Sequence, residues 1–197
     1  MRADARRNAQ ALVEAAMKVF ATSGVEAPSR EIAEKAGVGV GTLYRHFPQR
    51  SDLVVAVFRN EVDACADAAA KLAAEHDPGE ALARWMQRYV DFIAAKRGLA
   101  GALSSGDSAF QSLPTYFLER IRPALQALLD AAIDAGDIRS DVDPDELLFA
   151  VPRLCKTDAY GGSQEQARRM VALLVDGLRY RAQPTSAGRK KSRRSRK

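Results

Sequence analysis

Apolar residues recur every three or four positions through most of this 197-residue chain, and this spacing limits the possible folds more than any other feature. Such spacing gathers apolar side chains on one face of an α-helix. Runs of alternating apolar and polar residues, typical of β-strands, are absent, whereas alanine and leucine are abundant. The sequence therefore predicts an all-α fold. The clearest stripe, in the first helix, comprises Ala9, Leu12, Val13, Ala16, Met17 and Phe20.

Glycines and capping sequences mark the helix boundaries. Gly24 and Gly37 each follow a helical segment, where glycine can adopt the left-handed conformation that ends a helix. "DPGE" (77–80) and "DPDE" (143–146) each place an N-cap aspartate before a first-turn proline, and "SQEQ" (163–166) is a serine capping box. These signals predict three short helices before residue 50 and a bundle of longer helices after it.

The segment "GVGVGTLYRHF" (37–47) places three glycines directly before a group of hydrogen-bonding side chains. Gly39 can be the N-cap of a new helix, and Gly41 leaves its first turn without a side chain, so that the backbone can approach another surface closely. Leu43 is expected to face inward, whereas the polar residues beside it face outward. Two short helices joined by such a turn form a helix-turn-helix, whose second helix fits a DNA major groove about 12 Å wide.

The positive charge is concentrated at the end of the chain. The formal net charge is +5, and residues 184–197, "PTSAGRKKSRRSRK", carry seven Lys or Arg and no acid. The rest of the chain therefore has a net charge of −2, which is +5 less the +7 of this tail. The composition predicts a disordered tail. It serves either as a solvated terminus or as a non-specific contact for DNA phosphates.

Enzymatic and membrane functions find no support in the sequence. There are two histidines and two cysteines, without metal-ligand spacing, and no nucleotide-binding or nucleophile motif is present. We therefore expect a protein that is not an enzyme and needs no cofactor. No apolar run is long enough to cross a membrane, and the start of the chain lacks a signal-peptide pattern, so we expect a cytoplasmic location.

Residues 32–54, "IAEKAGVGVGTLYRHFPQRSDLV", resemble the helix-turn-helix of the tetracycline-repressor (TetR) family of bacterial transcription regulators. The family pattern is roughly I-A-x-x-A-G-V-S-x-x-T-[LI]-Y-x-[HY]-F-x-x-K-x-x-L. Gly39 and Arg50 depart from it, because serine or threonine and lysine are usual at these positions. The matching positions are Ile32, Ala33, Ala36, Gly37, Val38, Thr42, Leu43, Tyr44, His46, Phe47 and Leu53.

The resemblance implies a division into two domains. Residues 5–65 would form the DNA-binding domain, with the helix-turn-helix at about 28–47. Residues 66–183 would form a domain for ligand binding and dimerisation, followed by the basic tail at 184–197.

The resemblance also implies roles for residues that bind DNA. Tyr44 and His46 would contact backbone phosphates, and Thr42 a phosphate or a base edge. Arg30 and Arg50 would hold phosphates near the starts of helices. Such phosphate contacts fix the register of a protein on the duplex.

Three other positions follow from the expected exposed face of the second helix. Arg45 is the best candidate to read guanine through two hydrogen bonds. Val40 either contacts a thymine methyl group or packs inside the domain. Gly41 allows the helix end to approach the DNA closely.

A single helix-turn-helix has a small footprint, so specific binding usually requires a dimer on two half-sites. The last two helices, at about 144–159 and 164–181, are predicted to form the dimer face of a homodimer. The same apolar stripe could instead belong to the core of the chain itself. The predicted dimer residues are Ala167, Met170, Val171, Leu174, Val175 and Leu178.

The family typically binds a small-molecule effector in the C-terminal domain and then releases DNA. Aromatic and methionine side chains there could line an effector cavity, although ordinary core packing explains the same spacing. The ligand-binding candidates are Trp85, Met86, Tyr89, Phe92, Phe117 and Phe149.

We therefore expect a homodimeric regulator that binds a palindromic operator in double-stranded DNA. A repressor released by a small-molecule effector is the leading hypothesis. A regulator without a small-molecule inducer, or an activator, would have the same N-terminal residues.

Overall fold

The structure is a computed structural model that describes residues 2–156 and 163–180. These residues form α-helices and one 3-10 helix (Ser108–Phe110) and contain no β-strand, which confirms the predicted all-α fold. The basic tail at 184–197 lies outside the described residues. The helices are α1 (Arg2–Ser23), α2 (Ser29–Lys35), α3 (Val40–His46), α4 (Arg50–Glu75), α5 (Pro78–Arg97), α6 (Ala100–Leu103), α7 (Leu113–Asp134), α8 (Pro144–Leu154) and α9 (Gln164–Arg179).

Most helix boundaries lie where the sequence signals predict them. Gly24 and Gly37 have φ angles of 76° and 69°, in the left-handed region that glycine adopts without strain. The Asp143 side chain accepts a hydrogen bond from the amide two residues later, and the Ser163 side chain accepts one from the Gln166 amide at 3.1 Å. Both therefore cap their helices as predicted.

The chain forms two compact units. The first contains residues 2–66 and 91–121, and the second contains the described residues of 67–90 and 122–180. The first unit includes more than the predicted domain of residues 5–65, because 91–121 pack with it. The helices α4, α5 and α7 contribute residues to both units.

Helices α1 to α4 bury a shared apolar core in the first unit. Leu12 and Phe20 of α1, Ile32 of α2, Leu43 of α3 and Leu53 of α4 are each at most 2% exposed. Burial of each such side chain stabilises the folded state by about 1.5–3 kcal/mol. This core therefore holds the short helices α2 and α3, which would not persist in isolation.

A polar cluster joins α4 to α7 within the same unit. Asp63 of α4 accepts hydrogen bonds from the Tyr116 hydroxyl and from Nε of Arg120, each at 2.8 Å. The Arg59 guanidinium lies 4.9 Å from the centre of the Tyr116 ring. Burial and the hydrogen bond to Asp63 raise the pKa of Tyr116, so its hydroxyl remains a donor at neutral pH.

The core of the second unit is built around two stacked aromatic rings of α5. The ring centres of Trp85 and Tyr89 lie 5.7 Å apart, and the Tyr89 hydroxyl donates a hydrogen bond to the Leu148 carbonyl of α8 at 3.1 Å. Leu125 and Leu129 of α7 are fully buried in the same unit. The polar end of the buried tyrosine is therefore satisfied inside the core.

Gly98 lies between α5 and α6, where the chain passes close to the end of α1. A Cβ atom at Gly98 would lie 2.7 Å from the carbonyl oxygen of Phe20 and 3.3 Å from Cα of Ala21. We expect Gly98→Ala to lower the free energy of unfolding by about 1–3 kcal/mol, because two backbone segments must separate. Thermal denaturation followed by circular dichroism measures the change.

Gly101→Ala provides the matched control for this prediction. Gly101 lies in α6, and a Cβ atom there would meet nothing within 4 Å. Alanine should therefore be neutral or stabilising by up to about 1 kcal/mol. Equal effects of the two substitutions would contradict a special requirement for glycine at Gly98.

Candidate DNA-binding interface

The turn between α2 and α3 presents the second helix of the helix-turn-helix. After α2 ends, the amide of Val38 donates to the carbonyl of Ala33 at 3.0 Å, which closes the left-handed turn at Gly37. Gly39 has extended backbone angles at the N-cap of α3 and makes no side-chain cap. Its carbonyl accepts the amide of Thr42 at 2.9 Å, which begins the helix.

Helix α3 buries one side and exposes the other. Leu43 faces the core and is 2% exposed, whereas Tyr44 is 53% exposed and Arg45 is also exposed. Among the described residues, Arg45 forms no ion pair or side-chain hydrogen bond. We call the outward set the α3 surface; it comprises Val40, Gly41, Thr42, Tyr44, Arg45 and His46.

The α3 surface has the chemistry of a groove-reading helix. Its guanidinium, imidazole, phenol and hydroxyl groups include donors for phosphate oxygens and for base edges. Gly41 is exposed and has open space around it, so the backbone of α3 is accessible at its first turn. Val40, Thr42 and His46 are half-buried and lie at the edges of the exposed side.

Arg30 lies on α2 and is exposed. Its Nε contacts Oε1 of Glu34 at 2.7 Å, one helical turn along the same helix. The hydrogen bond to Glu34 raises the pKa of Arg30. Because exposed ion pairs of this kind contribute little to stability, the guanidinium can exchange this partner for a phosphate.

Arg50 is placed differently from the other predicted DNA-binding residues. Its Nε donates to the carbonyl of Val25 at 2.7 Å, and its Nη2 donates to the carbonyl of Ala27. The side chain is half-buried, and its guanidinium covers the ring of Phe20. Its contacts are therefore within the chain, whereas the sequence interpretation assigned it to a phosphate.

The predicted dimer residues of α9 fall on two sides of the helix. Met170 is exposed and Leu174 is half-buried. The other four are buried in the second unit, because α9 turns this side toward its own chain. These buried positions are Ala167, Val171, Val175 and Leu178.

Other apolar side chains of α8 and α9 are exposed instead. Phe149 is 53% exposed, Met170 is 40% exposed and Leu173 is 65% exposed. We call these three residues the α8–α9 apolar surface. Sequence analysis missed Leu173, although it lies one turn after Met170 and its spacing could have identified it.

The predicted ligand-binding residues fall in both units. Trp85, Met86 and Tyr89 are fully buried in the second unit. Phe92 and Phe117 belong to the first unit, where their rings stack with centres 5.7 Å apart. Phe149 of α8 is exposed, unlike the other five.

A surface pocket of about 250 Å³ lies between α5 and α9 in the second unit. Two ion pairs border it, Arg84 with Glu80 at 2.7 Å and Arg179 with Asp176 at 3.1 Å. Oε1 of Gln87, which also lines the pocket, is buried without a hydrogen-bond partner. None of the predicted ligand-binding residues lines this pocket.

Comparison with known proteins gives two family matches on this chain. Residues 12–57 match the family described as "Bacterial regulatory proteins, tetR family", and residues 77–180 match "Transcriptional regulator SbtR-like, C-terminal domain". The first match contains α2, α3 and the turn between them, and the second contains the two helices that carry the α8–α9 apolar surface.

Solved structures and a curated relative agree with these matches. The TetR transcriptional regulator SCO0520 from Streptomyces coelicolor is 40% identical, with a TM-score of 0.75, over 87% of this chain and 98% of that chain. A TetR transcription regulatory protein from Mycobacterium vanbaalenii is 39% identical, with a TM-score of 0.72, over 90% of this chain and 98% of that one. HTH-type transcriptional regulator SAUSA300_2515 from Staphylococcus aureus is 47% identical over 64 residues, which are 32% of this chain and 35% of that relative.

Within the described residues, every helix is too short or too polar to cross a lipid bilayer. The fold, the helix-turn-helix and the relatives agree on a regulator of transcription, not an enzyme. The chain therefore belongs to the TetR family of helix-turn-helix, DNA-binding transcription regulators.

Proposed function

We propose that this regulator represses transcription by binding a palindromic operator as a homodimer, and that a small-molecule effector releases it. The observation that carries the proposal is the exposed α3 surface on a helix whose inner side is fixed by Leu43. Tyr44 and His46 would contact phosphates, Thr42 a phosphate or a base edge, and Arg30 of α2 a phosphate. Arg45, which has no partner among the described residues, would read a base edge.

The α8–α9 apolar surface supports the homodimer. Large exposed apolar side chains on neighbouring helices are costly in water and are typical of protein interfaces. A two-fold axis would place Phe149, Met170 and Leu173 against their copies in a four-helix arrangement. A dimer also matches two half-sites of a palindrome, which one helix-turn-helix cannot do.

Effector control is supported by the way the chain connects its two units. Helices α4, α5 and α7 each contribute residues to both units. A ligand that binds the second unit better in one arrangement of these helices would shift the population of the DNA-binding form. The effector would be a small organic molecule bound in the second unit, and the regulator would act in the cytoplasm, where bacterial DNA is located.

Two alternatives use the same DNA-binding residues. A regulator without a small-molecule inducer would bind its operator with the same affinity in the presence of any metabolite. An activator would bind a site from which it promotes transcription. Whether the bound protein activates or represses depends on the position of the operator relative to the promoter.

Selection of random duplex DNA by the purified full-length protein tests the proposal. We expect the retained sequences to contain a palindrome with one fixed half-site spacing. Recovery of unrelated sequences, with binding that disappears at moderate salt, would contradict a specific regulator and would indicate only phosphate contacts. Mass spectrometry of co-purified small molecules, followed by their addition to the operator complex, tests for an effector that releases DNA.

A further inference from the structure

Arg50, the first residue of α4, joins three elements of the first unit. Its Nε donates to the carbonyl of Val25 at 2.7 Å, and its Nη2 donates to the carbonyl of Ala27. Its Cζ lies 4.9 Å from the centre of the Phe20 ring. These contacts connect the end of α1, the turn before α2 and the start of α4.

Arginine suits this position and lysine does not. The planar guanidinium presents N–H groups in a fixed fork and can stack on an aromatic ring at the same time. Lysine, which the TetR pattern has at this position, carries one compact ammonium on a flexible chain and cannot make all three contacts together. Burial lowers the pKa of Arg50, against smaller opposing effects of Glu26 and Tyr44, but the guanidinium stays charged at neutral pH.

The turn that Arg50 contacts leads directly into α2. Pro28 is the N-cap of α2 and provides no side-chain hydrogen bond to the helix. The carbonyl of Ala27, directly before Pro28, accepts a hydrogen bond from Arg50. Helix α2 is in turn joined to the turn that leads to α3, because the carbonyl of its buried residue Ala33 accepts the amide of Val38 at 3.0 Å.

We propose that Arg50 is a positioning residue for operator recognition. It holds the turn before α2 and thereby fixes the orientation of α3, while the DNA phosphates are bound by other residues. This inference rests on the proposed function, because it concerns how the same helix-turn-helix recognises its operator.

Arg50→Lys and Arg50→Ala test the inference with the full-length protein. The probes are the operator obtained by selection and a random-sequence duplex of equal length, each measured over a series of salt concentrations. We expect both variants to lose operator affinity on the order of tenfold, because misplaced α3 side chains lose their hydrogen bonds. Affinity for the random duplex and the slope of log affinity against log salt should remain those of the wild type.

A phosphate-binding Arg50 would give a different pattern. Lysine would then replace arginine with little loss, and Arg50→Ala would weaken binding to both duplexes and reduce the salt slope by about 1 per site. That pattern would overturn the inference. A general loss of folding would not produce selective loss of operator binding when every variant is measured below its unfolding temperature.

Arg30→Lys and Arg30→Ala are the matched controls. Arg30 is an exposed arginine of α2 with a proposed phosphate contact, so Arg30→Ala should reduce the salt slope while Arg30→Lys should preserve it. If Arg50→Lys fails to fold, Phe20→Leu removes the ring contact of Arg50 while retaining its charge. It should also lose operator affinity at an unchanged salt slope, and wild-type affinity would overturn the inference.

The results separate this inference from the proposed function. If the wild type selects a palindrome and Arg50→Lys binds it as the wild type does, only the role of Arg50 fails. If the wild type selects no sequence, the proposed function fails and the role of Arg50 in operator recognition fails with it.

Discussion

Tyr44→Ala is expected to weaken DNA binding on the order of tenfold or more for every operator sequence. Tyr44 is 53% exposed on α3, so its hydroxyl can reach a phosphate. Because the phosphate backbone is the same at every base pair, the loss should not depend on the operator sequence. A dimer would lose this contact twice. Because the side chain is exposed, the free energy of unfolding should change by only about 0.5 kcal/mol. Fluorescence anisotropy with a panel of operator variants measures the loss.

Tyr44→Phe and Arg45→Ala sharpen this test. Phenylalanine keeps the ring and removes the hydroxyl, so it should reproduce most of the loss if the hydroxyl binds the phosphate. Arg45→Ala should instead relax the preference at one base-pair position in each half-site, by about 1–3 kcal/mol. Equal losses on every operator variant for both alanine substitutions would refute base reading by Arg45.

Leu173→Glu is expected to convert the protein to a monomer and to reduce operator affinity on the order of a hundredfold. Leu173 is 65% exposed, so glutamate is well solvated in the separate chain. In a dimer through the α8–α9 apolar surface, the two-fold axis would bury two carboxylates, which costs several kcal/mol without partners. Size-exclusion chromatography with light scattering gives the oligomeric state, and anisotropy gives the affinity.

Ala127→Glu is the matched control for the dimer prediction. Ala127 is an exposed residue of α7 in the same unit, outside the α8–α9 apolar surface, and alanine and glutamate are both good helix formers. It should remain dimeric and bind the operator as the wild type does. An intact dimer in Leu173→Glu would show that the interface lies elsewhere.

The helices that carry the DNA-binding surface could be predicted because their signals are local. The apolar stripe of α1, the left-handed glycines at 24 and 37, and the alternation of buried Leu43 with exposed neighbours depend on residues a few positions apart. The short helix α6 and the 3-10 helix (Ser108–Phe110) were not predicted. Each is too short for its apolar residues to show a helical period.

The spacing of apolar residues in α9 showed which residues share a face. It could not show whether that face meets the same chain or a second copy, since both environments favour the same side chains. The structure places Val171 and Val175 in the core of the second unit and leaves Leu173 exposed. The prediction of ligand-binding residues has the same ambiguity, because buried aromatic side chains suit a packed core as well as a ligand cavity.

The sequence by itself determined the all-α fold, the helix-turn-helix and the residues that α3 turns outward. These follow from periodicity and capping, which act over one or two helical turns. Tertiary structure decided the environment of Arg50, because its carbonyl partners lie 23 and 25 residues away along the chain. No local pattern distinguishes an arginine that binds a phosphate from one that binds backbone carbonyls; only the folded arrangement of α1, the turn before α2 and the start of α4 does.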